Sequence, residues 1–329
     1  MRYLDDTLRE VTRDFCGVVS VSRGTTVEFE AAYGLAHRAH RVPVQTDTQF
    51  GIASGTKGFT AIVIAALLAS GSLTLSSTAR SVLGADLPLI DDRVTIEHLL
   101  THTSGIGDYV DEDAETDGDE YVLTVAVHTL ADTESYLAAL DGFATRFPPG
   151  QRFSYCNGSY VVLSLIAERV SGCPFPGLVG EFVFGPADMT SSAFLRSDRL
   201  PARAAVGYLD DGRANVLHLP VRGAGDGGAY STAGDLQLFW DALFAGRLLP
   251  PDQVDALVRP RHDVPDEDLR YGRGFWLHRT GRQVSLIGAD AGVSFRSTHD
   301  PVTGRTHTVL SNTSSGAWPV ARRLADILH

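Results

Sequence analysis

The stretch FGIASGTKGFTAIVIAALLASG, from Phe50 to Gly71, constrains the fold more than any other part of the chain. From Phe59 to Ala69 it is apolar apart from Thr60, with a glycine placed to stop it. The run is too short to span a bilayer. At its mouth stand two residues that cost something there: serine is a poor helix-interior residue, and lysine resists desolvation. Residues three apart share a helix face, so the Lys57 amine can reach the Ser54 hydroxyl. The free N–H groups and the dipole of a first helical turn favour negative charge. An oxyanion formed at a carbonyl attacked by Ser54 would meet those donors. A Ser-x-x-Lys tetrapeptide is common by chance, however, and needs support from elsewhere.

A second segment supplies it. FPPGQRFSYCNGSYV places Tyr155 and Asn157 two apart just ahead of a helical pattern. In extended backbone, residues two apart point the same way, so both can face one cleft. A phenol beside an ammonium is more acidic and can take a serine proton and return it to a leaving group. The blander alternative is a buried tyrosine followed by a helix-capping asparagine.

The two ends of the chain read as strands. CGVVSVSRG and TVEFEAAYG alternate around a turn and predict a hairpin. RGFWLHRTGRQVSLIG and AGVSFRSTHDPVTGRTHTVLSN predict three or more further strands, and AWPVARRLADILH a helix. The middle is mostly helical: TIEHLLTH behind a Thr95 cap, ESYLAALDG, GSYVVLSLIAERVSG and TAGDLQLFWDALFAG. The expected architecture is one domain over 1–329 of the α/β (α+β) class. An antiparallel sheet flanked by terminal helices comes from about 1–60 and 265–329. A mostly helical lobe, about 61–264, is inserted between them, with the site in the cleft.

Composition narrows the partners. The chain has 329 residues, 43% of them hydrophobic, and a formal net charge of -12. Such a surface repels phosphate backbones and anionic lipids, so neither nucleic acid nor a membrane is an expected partner. The opening MRYLDDTLREVTRDF lacks the apolar core of a signal peptide. Cys16, Cys156 and Cys173 form neither a disulfide framework nor a zinc pattern. Both features lead to the expectation of a cytoplasmic protein. No phosphate-cradling glycine loop and no nucleophile elbow is present, and no cofactor is expected. His98 and His102 are four apart on an expected helix but lack a third ligand, so no metal is expected either. His37 and His40 read as solvated surface.

Four segments, TQFGIASGTKGFTA, VTIEHLLTHTSGI, FPPGQRFSYCNGSYVVLSLIAERVSG and GAGDGGAYSTAGDL, resemble in order and separation those of the serine β-lactamase and penicillin-binding-protein family. The resemblance runs from about Cys16 to Asn312 and is closest to class C β-lactamases and their esterase and D-peptidase relatives. It implies that Ser54 is the acylated nucleophile, that Lys57 activates it, and that Tyr155 is general base and acid. Asn157 would hold a substrate amide and steady Lys57. Glu168 reads as solvent-facing rather than as the glutamate base of class A.

The third family motif, Lys-Thr-Gly or His-x-Gly, falls on Leu286-Ile287-Gly288, where the glycine is kept and the cation is lost. That residue ordinarily meets a substrate carboxylate. Its loss shifts the expectation from penicillins and D-alanyl peptides toward neutral esters and amides. Gly288 and Ala289 are the expected substrate-binding wall, the N–H groups of Ser54 and Ala289 forming the oxyanion hole. Asp290 either fixes a loop or points into the cleft. The implied function is a serine hydrolase acting through an acyl-enzyme on a small ester, amide, peptide or β-lactam, with esterase chemistry favoured. A true β-lactamase or D-alanyl peptidase, and a non-catalytic binding or sensory protein, are the alternatives. The oligomeric state is not assigned.

Overall fold

The computed structural model describes residues 2–110 and 119–328. Its centre is an eight-stranded antiparallel sheet in the order Thr26–Tyr33, Gly17–Arg23, Arg305–Ser311, Val293–Asp300, Val284–Asp290, Trp276–His278, Leu269–Tyr271 and His262–Val264. The hairpin predicted at the start of the chain is the first pair, turning at Gly24 with φ of 52°. The last hairpin turns at Gly304 with φ of 68°, a value that glycine reaches without a Cβ penalty. N- and C-terminal strands lie side by side in full register, from Gly17 opposite Ser311 to Arg23 opposite Arg305.

Strand alternation divides the core in two. Val19, Val21, Phe29 and Val309 face the terminal helices, meeting Leu8 on one side and Val320, Ala321 and Leu324 on the other. Val18, Leu286, Phe295 and Leu310 face the opposite way and join the large core of the helical lobe. This is the expected sheet flanked by terminal helices, with helices inserted between the sheet segments.

The apolar helix Thr56–Ala69 runs through that larger core, and almost every residue on it is buried. Gly58 lets it approach the sheet: a Cβ there would lie 2.4 Å from Leu286 Cδ2. Phe59 packs edge-on against Phe184 and Phe239, with ring centroids 5.5 and 5.1 Å apart. Helix Asn157–Ser171 lies against it and stops at Gly172, in the left-handed conformation. Helix Ala233–Phe244, capped by Thr232, is tied to the sheet by Trp240 Nε1, which donates to Ser297 Oγ at 2.8 Å. Among the described residues no single helix is long and apolar enough to cross a membrane.

Several sequence expectations are corrected. Ser54 lies in a 3-10 turn, Ala53–Gly55, that leads into the α-helix, rather than in the α-helix itself. The helix capped by Thr95 ends at Leu100, so His98 and His102 do not share a face. His98 is instead part of a capping box, its Nδ1 accepting from the Thr95 N–H. The cap of the second long helix is Cys156, whose Sγ accepts from Ser159 N–H, and Asn157 is already helical. Glu168 is half-buried rather than solvent-facing. Burial raises its carboxyl pKa, and hydrogen bonds from Thr133 and the Phe175 backbone oppose the rise.

Candidate active site

The turn that carries Ser54 is held under strain. Ala53 has φ of 43°, a left-handed conformation that a residue with a Cβ adopts at a cost. The surroundings over-determine it. Phe50 and Gly51 pair with Ser231 and Tyr230, and the Ile52 N–H donates to Ala229 O at 2.9 Å. Thr56 Oγ1 donates to Ala53 O at 2.8 Å while accepting from Ala229 N–H at 3.1 Å.

Lys57 is 1% exposed, and its Nζ lies 2.8 Å from Ser54 Oγ, 2.7 Å from Asn157 Oδ1 and 2.8 Å from the Asp226 carbonyl oxygen. The last two atoms can only accept, so they take two N–H bonds and leave the third direction of Nζ aimed at the serine. In the amine form that direction holds a lone pair able to take the Ser54 proton. In the ammonium form it holds a donor. Lys57 Nζ also stands 4.9 Å from the centroid of the Tyr155 ring. The four sequence candidates Ser54, Lys57, Tyr155 and Asn157 are thus brought together from the N-terminal ends of two helices and the segments that lead into them. Ser54, Tyr155 and Asn157 line a cavity of about 1130 Å³.

Strand Val284–Asp290 forms the opposite wall, with Ile287, Gly288, Ala289 and Asp290 all lining that cavity. Gly288 is required by close approach: a Cβ would lie 2.1 Å from Ile52 O and 3.0 Å from the nitrogens of Ser54 and Gly55. The serine turn therefore rests directly on this strand. Asp290 combines both readings offered for it. It lines the cavity, and its Oδ1 accepts from Tyr121 Oη and from Ala291 N–H, each at 2.9 Å.

Sequence reasoning missed five groups. Asp108 sits at the start of the Asn157 helix, accepting from the N–H groups of Asn157 at 2.5 Å and Gly158 at 2.9 Å. Burial pushes its carboxyl up to about 6 against those bonds. Asp226 presents its carbonyl to Lys57, while its buried carboxylate accepts from Tyr109 Oη. His102 and Trp276 enclose the Tyr155 ring, with centroids at 4.2 and 5.8 Å and interplanar angles of 28° and 15°. Arg296 lies opposite Ile287 on the neighbouring strand and lines the same cavity. Among the described residues its hydrogen-bond partner is Thr298 Oγ1 at 3.4 Å. Burial pushes the guanidinium pKa down, and Glu267 pulls it back. The cation missing from Leu286-Ile287-Gly288 is therefore matched by a cation one strand away. His102 and Asp226 fall within segments that carried the resemblance, and position alone marked them. Asp108 and Arg296 had no comparable signal.

Among the described residues no cluster of three or more histidine, cysteine or acidic side chains could hold a metal ion.

The sequence profile of the Beta-lactamase family matches residues 4–329. Esterase EstB of Burkholderia gladioli is 31% identical over 303 residues, covering 82% of this chain and 76% of that protein. A D-aminopeptidase of Brucella anthropi is 29% identical over 320 residues, covering 94% of this chain and 58% of that longer protein. The crystal structure of a penicillin-binding protein from Bacillus halodurans superposes with a TM-score of 0.91 at 36% identity, covering 98% of this chain and 99% of that one. The chain belongs to the Beta-lactamase family of serine hydrolases.

Proposed function

We propose that this protein hydrolyses small esters through an acyl-enzyme on Ser54, with Lys57 and Tyr155 moving the proton. The observation that carries the reading is the approach of Lys57 Nζ to Ser54 Oγ at 2.8 Å, with its other two bonds spent on Asn157 and the Asp226 carbonyl. Ser54 Oγ attacks the substrate carbonyl carbon, forming a C–O bond as the carbonyl electron pair moves onto oxygen. The serine proton passes to the Lys57 amine or to Tyr155 as phenolate. The oxyanion is received by the N–H groups of Ser54 and Ala289. Collapse breaks the bond to the leaving alcohol, which takes the proton back. Water then attacks the acyl carbon by the same route and frees Ser54. Similarity to EstB supports ester substrates.

A second reading, an amide or peptide substrate bearing a carboxylate, is favoured by Arg296, a cation in the cavity wall that makes no ion pair among the described residues. Similarity to a D-aminopeptidase and to a penicillin-binding protein agrees with amide chemistry.

The deciding experiment is intact-mass and peptide-mapping analysis after exposure to a fluorophosphonate, activated esters and a β-lactam. One adduct on Ser54, lost in Ser54→Ala, is expected. An unlabelled wild-type protein with no esterase turnover would instead leave a binding or sensory role.

A further inference from the structure

His102 is held in place by more contacts than a core histidine needs. It is fully buried, and its φ of 54° puts a side-chain-bearing residue in the left-handed region just after the helix that ends at Leu100. Its carbonyl oxygen accepts from Ser154 N–H at 2.9 Å. Its ring Nδ1 accepts from Cys156 N–H at 3.0 Å. One residue therefore grips the chain on both sides of Tyr155, and its ring lies against the Tyr155 ring as the closer of two stacking partners.

The hydrogen bonds also determine the state of the imidazole. A backbone N–H can only donate, so Nδ1 is the acceptor and the proton of the neutral ring sits on Nε2. That N–H is 3.1 Å from Tyr271 Oη, to which it donates. Tyr271 Oη in turn lies 3.4 Å from Tyr160 Oη, which donates to Leu100 O at 2.8 Å. The charged and titratable groups around the ring are Lys57, Tyr155, Tyr160, Tyr271 and His262. Burial and the Lys57 charge both hold the imidazolium pKa well below its usual range. Protonating Nδ1 would break the Cys156 bond and set a second cation near Lys57.

We infer that His102 is the positioning residue for Tyr155, fixing the backbone at both of its neighbours and one face of its ring while remaining a neutral Nε2–H imidazole. This inference rests on the hydrolase reading for its kinetic consequences, but not for its structural content. Tyr155 is the one candidate group whose segment, unlike the serine turn, is not part of a helix or strand. A phenol on irregular backbone needs such a clamp, because a misplacement of about 1 Å costs on the order of 100-fold in rate.

The test uses three variants of the full-length protein. His102→Ala removes the ring. His102→Phe keeps a stacking ring without its nitrogens. His102→Asn restores an acceptor near the Cys156 N–H. Turnover of a p-nitrophenyl ester, normalised to active sites titrated with fluorophosphonate, should fall about 100-fold for Ala and about 10-fold for Phe and Asn. KM should stay within about threefold, and the limb of the pH–rate profile reporting the phenol should shift. Circular dichroism and thermal melts identify any loss that is only unfolding. Independently of turnover, ¹⁵N shifts of histidine-labelled wild-type protein, with the His102 signals assigned by their loss in His102→Phe, should show His102 as a neutral Nε2–H imidazole that does not titrate between about pH 5 and 8. Normal labelling of Ser54 with unchanged turnover and pH profile in His102→Phe and His102→Ala would overturn this inference alone. A His102 that titrates like free histidine would overturn it whether or not the protein is an enzyme. Absence of any Ser54 adduct in the wild type would overturn the hydrolase reading, leaving the nitrogen shifts to decide the tautomer and the clamp.

Discussion

Asn157 Oδ1 and Lys57 Nζ are 2.7 Å apart, and that single contact joins the two long helices of the lobe at the point where both reach the cavity. Replacing Asn157 by Ala leaves a buried lysine one acceptor short. A loss of about 1–3 kcal/mol in unfolding free energy is expected, measured by urea denaturation. Turnover should fall as well, since the third direction of Nζ no longer stays trained on Ser54. Equal stability and turnover in the two proteins would contradict this role.

Tyr155→Phe removes the phenol oxygen and keeps the stack on His102 and Trp276. Because packing survives, the melting temperature should stay close to that of the wild type. Turnover should drop by about 10²–10⁴-fold, the range for loss of a general acid–base group. Burst kinetics with an activated ester separate acylation from deacylation and show which step loses the group.

Gly288→Ala sets a methyl group 2.1 Å from Ile52 O, a distance no real contact tolerates. Strand and serine turn must part. Since both carry proposed oxyanion donors, a rate loss on the order of 10²–10³ is expected, with the larger share in kcat. Kinetics on a neutral ester report it, and wild-type kcat in this variant would show that the wall does not matter to the chemistry.

Arg296→Gln keeps a polar side chain, shortens it and removes the charge. For esters or amides with a carboxylate, kcat/KM should fall roughly 10–100-fold, the worth of a charge-assisted hydrogen bond. Neutral esters should be unaffected. A uniform effect on both classes would mean that Arg296 shapes the wall without reading the substrate.

Asp108 couples stability to pH. Its carboxyl is raised to about 6 in the folded state from an ordinary 3.8. With the folded value above the unfolded one, its contribution is complete below about pH 4. It declines as pH rises toward about 6 and is constant beyond, a fall of about 1–3 kcal/mol. Asp108→Asn should remove that slope from urea-unfolding free energies measured between about pH 4 and 7. It should also lower stability at neutral pH, because Asn157 and Gly158 N–H donate to different oxygens of Asp108 and the amide puts an NH2 in place of one of them.

What the sequence made legible follows the range of the interactions. Ser54 and Lys57 meet because a helical turn brings residues three apart together, and Tyr155 and Asn157 line one cavity because the single residue between them, Cys156, is extended even though Asn157 already begins the helix. The hairpins were readable from alternation and turn residues, as was the sheet built from both chain ends. His102, Asp108, Asp226 and Arg296 were not, because each acts on residues far away in the chain. Lys57 reaches the Asp226 carbonyl only after the glycine-rich loop has passed the Asn157 helix. Gly225 lies so close there that a Cβ would be 2.3 Å from Tyr160 O. The misread helix end after Leu100 has a local cause. The left-handed residue that follows is a histidine rather than the glycine or asparagine that ordinarily marks such a stop, so the periodicity carried the reading one turn too far. The missing third-motif cation was a similar case, since a residue opposite Ile287 becomes visible only once strand register is known.

The pairing of Gly17–Arg23 with Arg305–Ser311, and the seating of the serine turn on Val284–Asp290, have a consequence for how the protein is made. A ribosome delivers the turn that carries Ser54 long before the strand on which it rests. The nascent polypeptide must carry the apolar helix Thr56–Ala69 unsheltered until Arg305–Ser311 has been made and the sheet can close. Folding should be slow and should complete only once Arg305–Ser311 has emerged to pair with Gly17–Arg23, as such distant pairings demand. The proposed hydrolytic centre stays silent until that strand has paired.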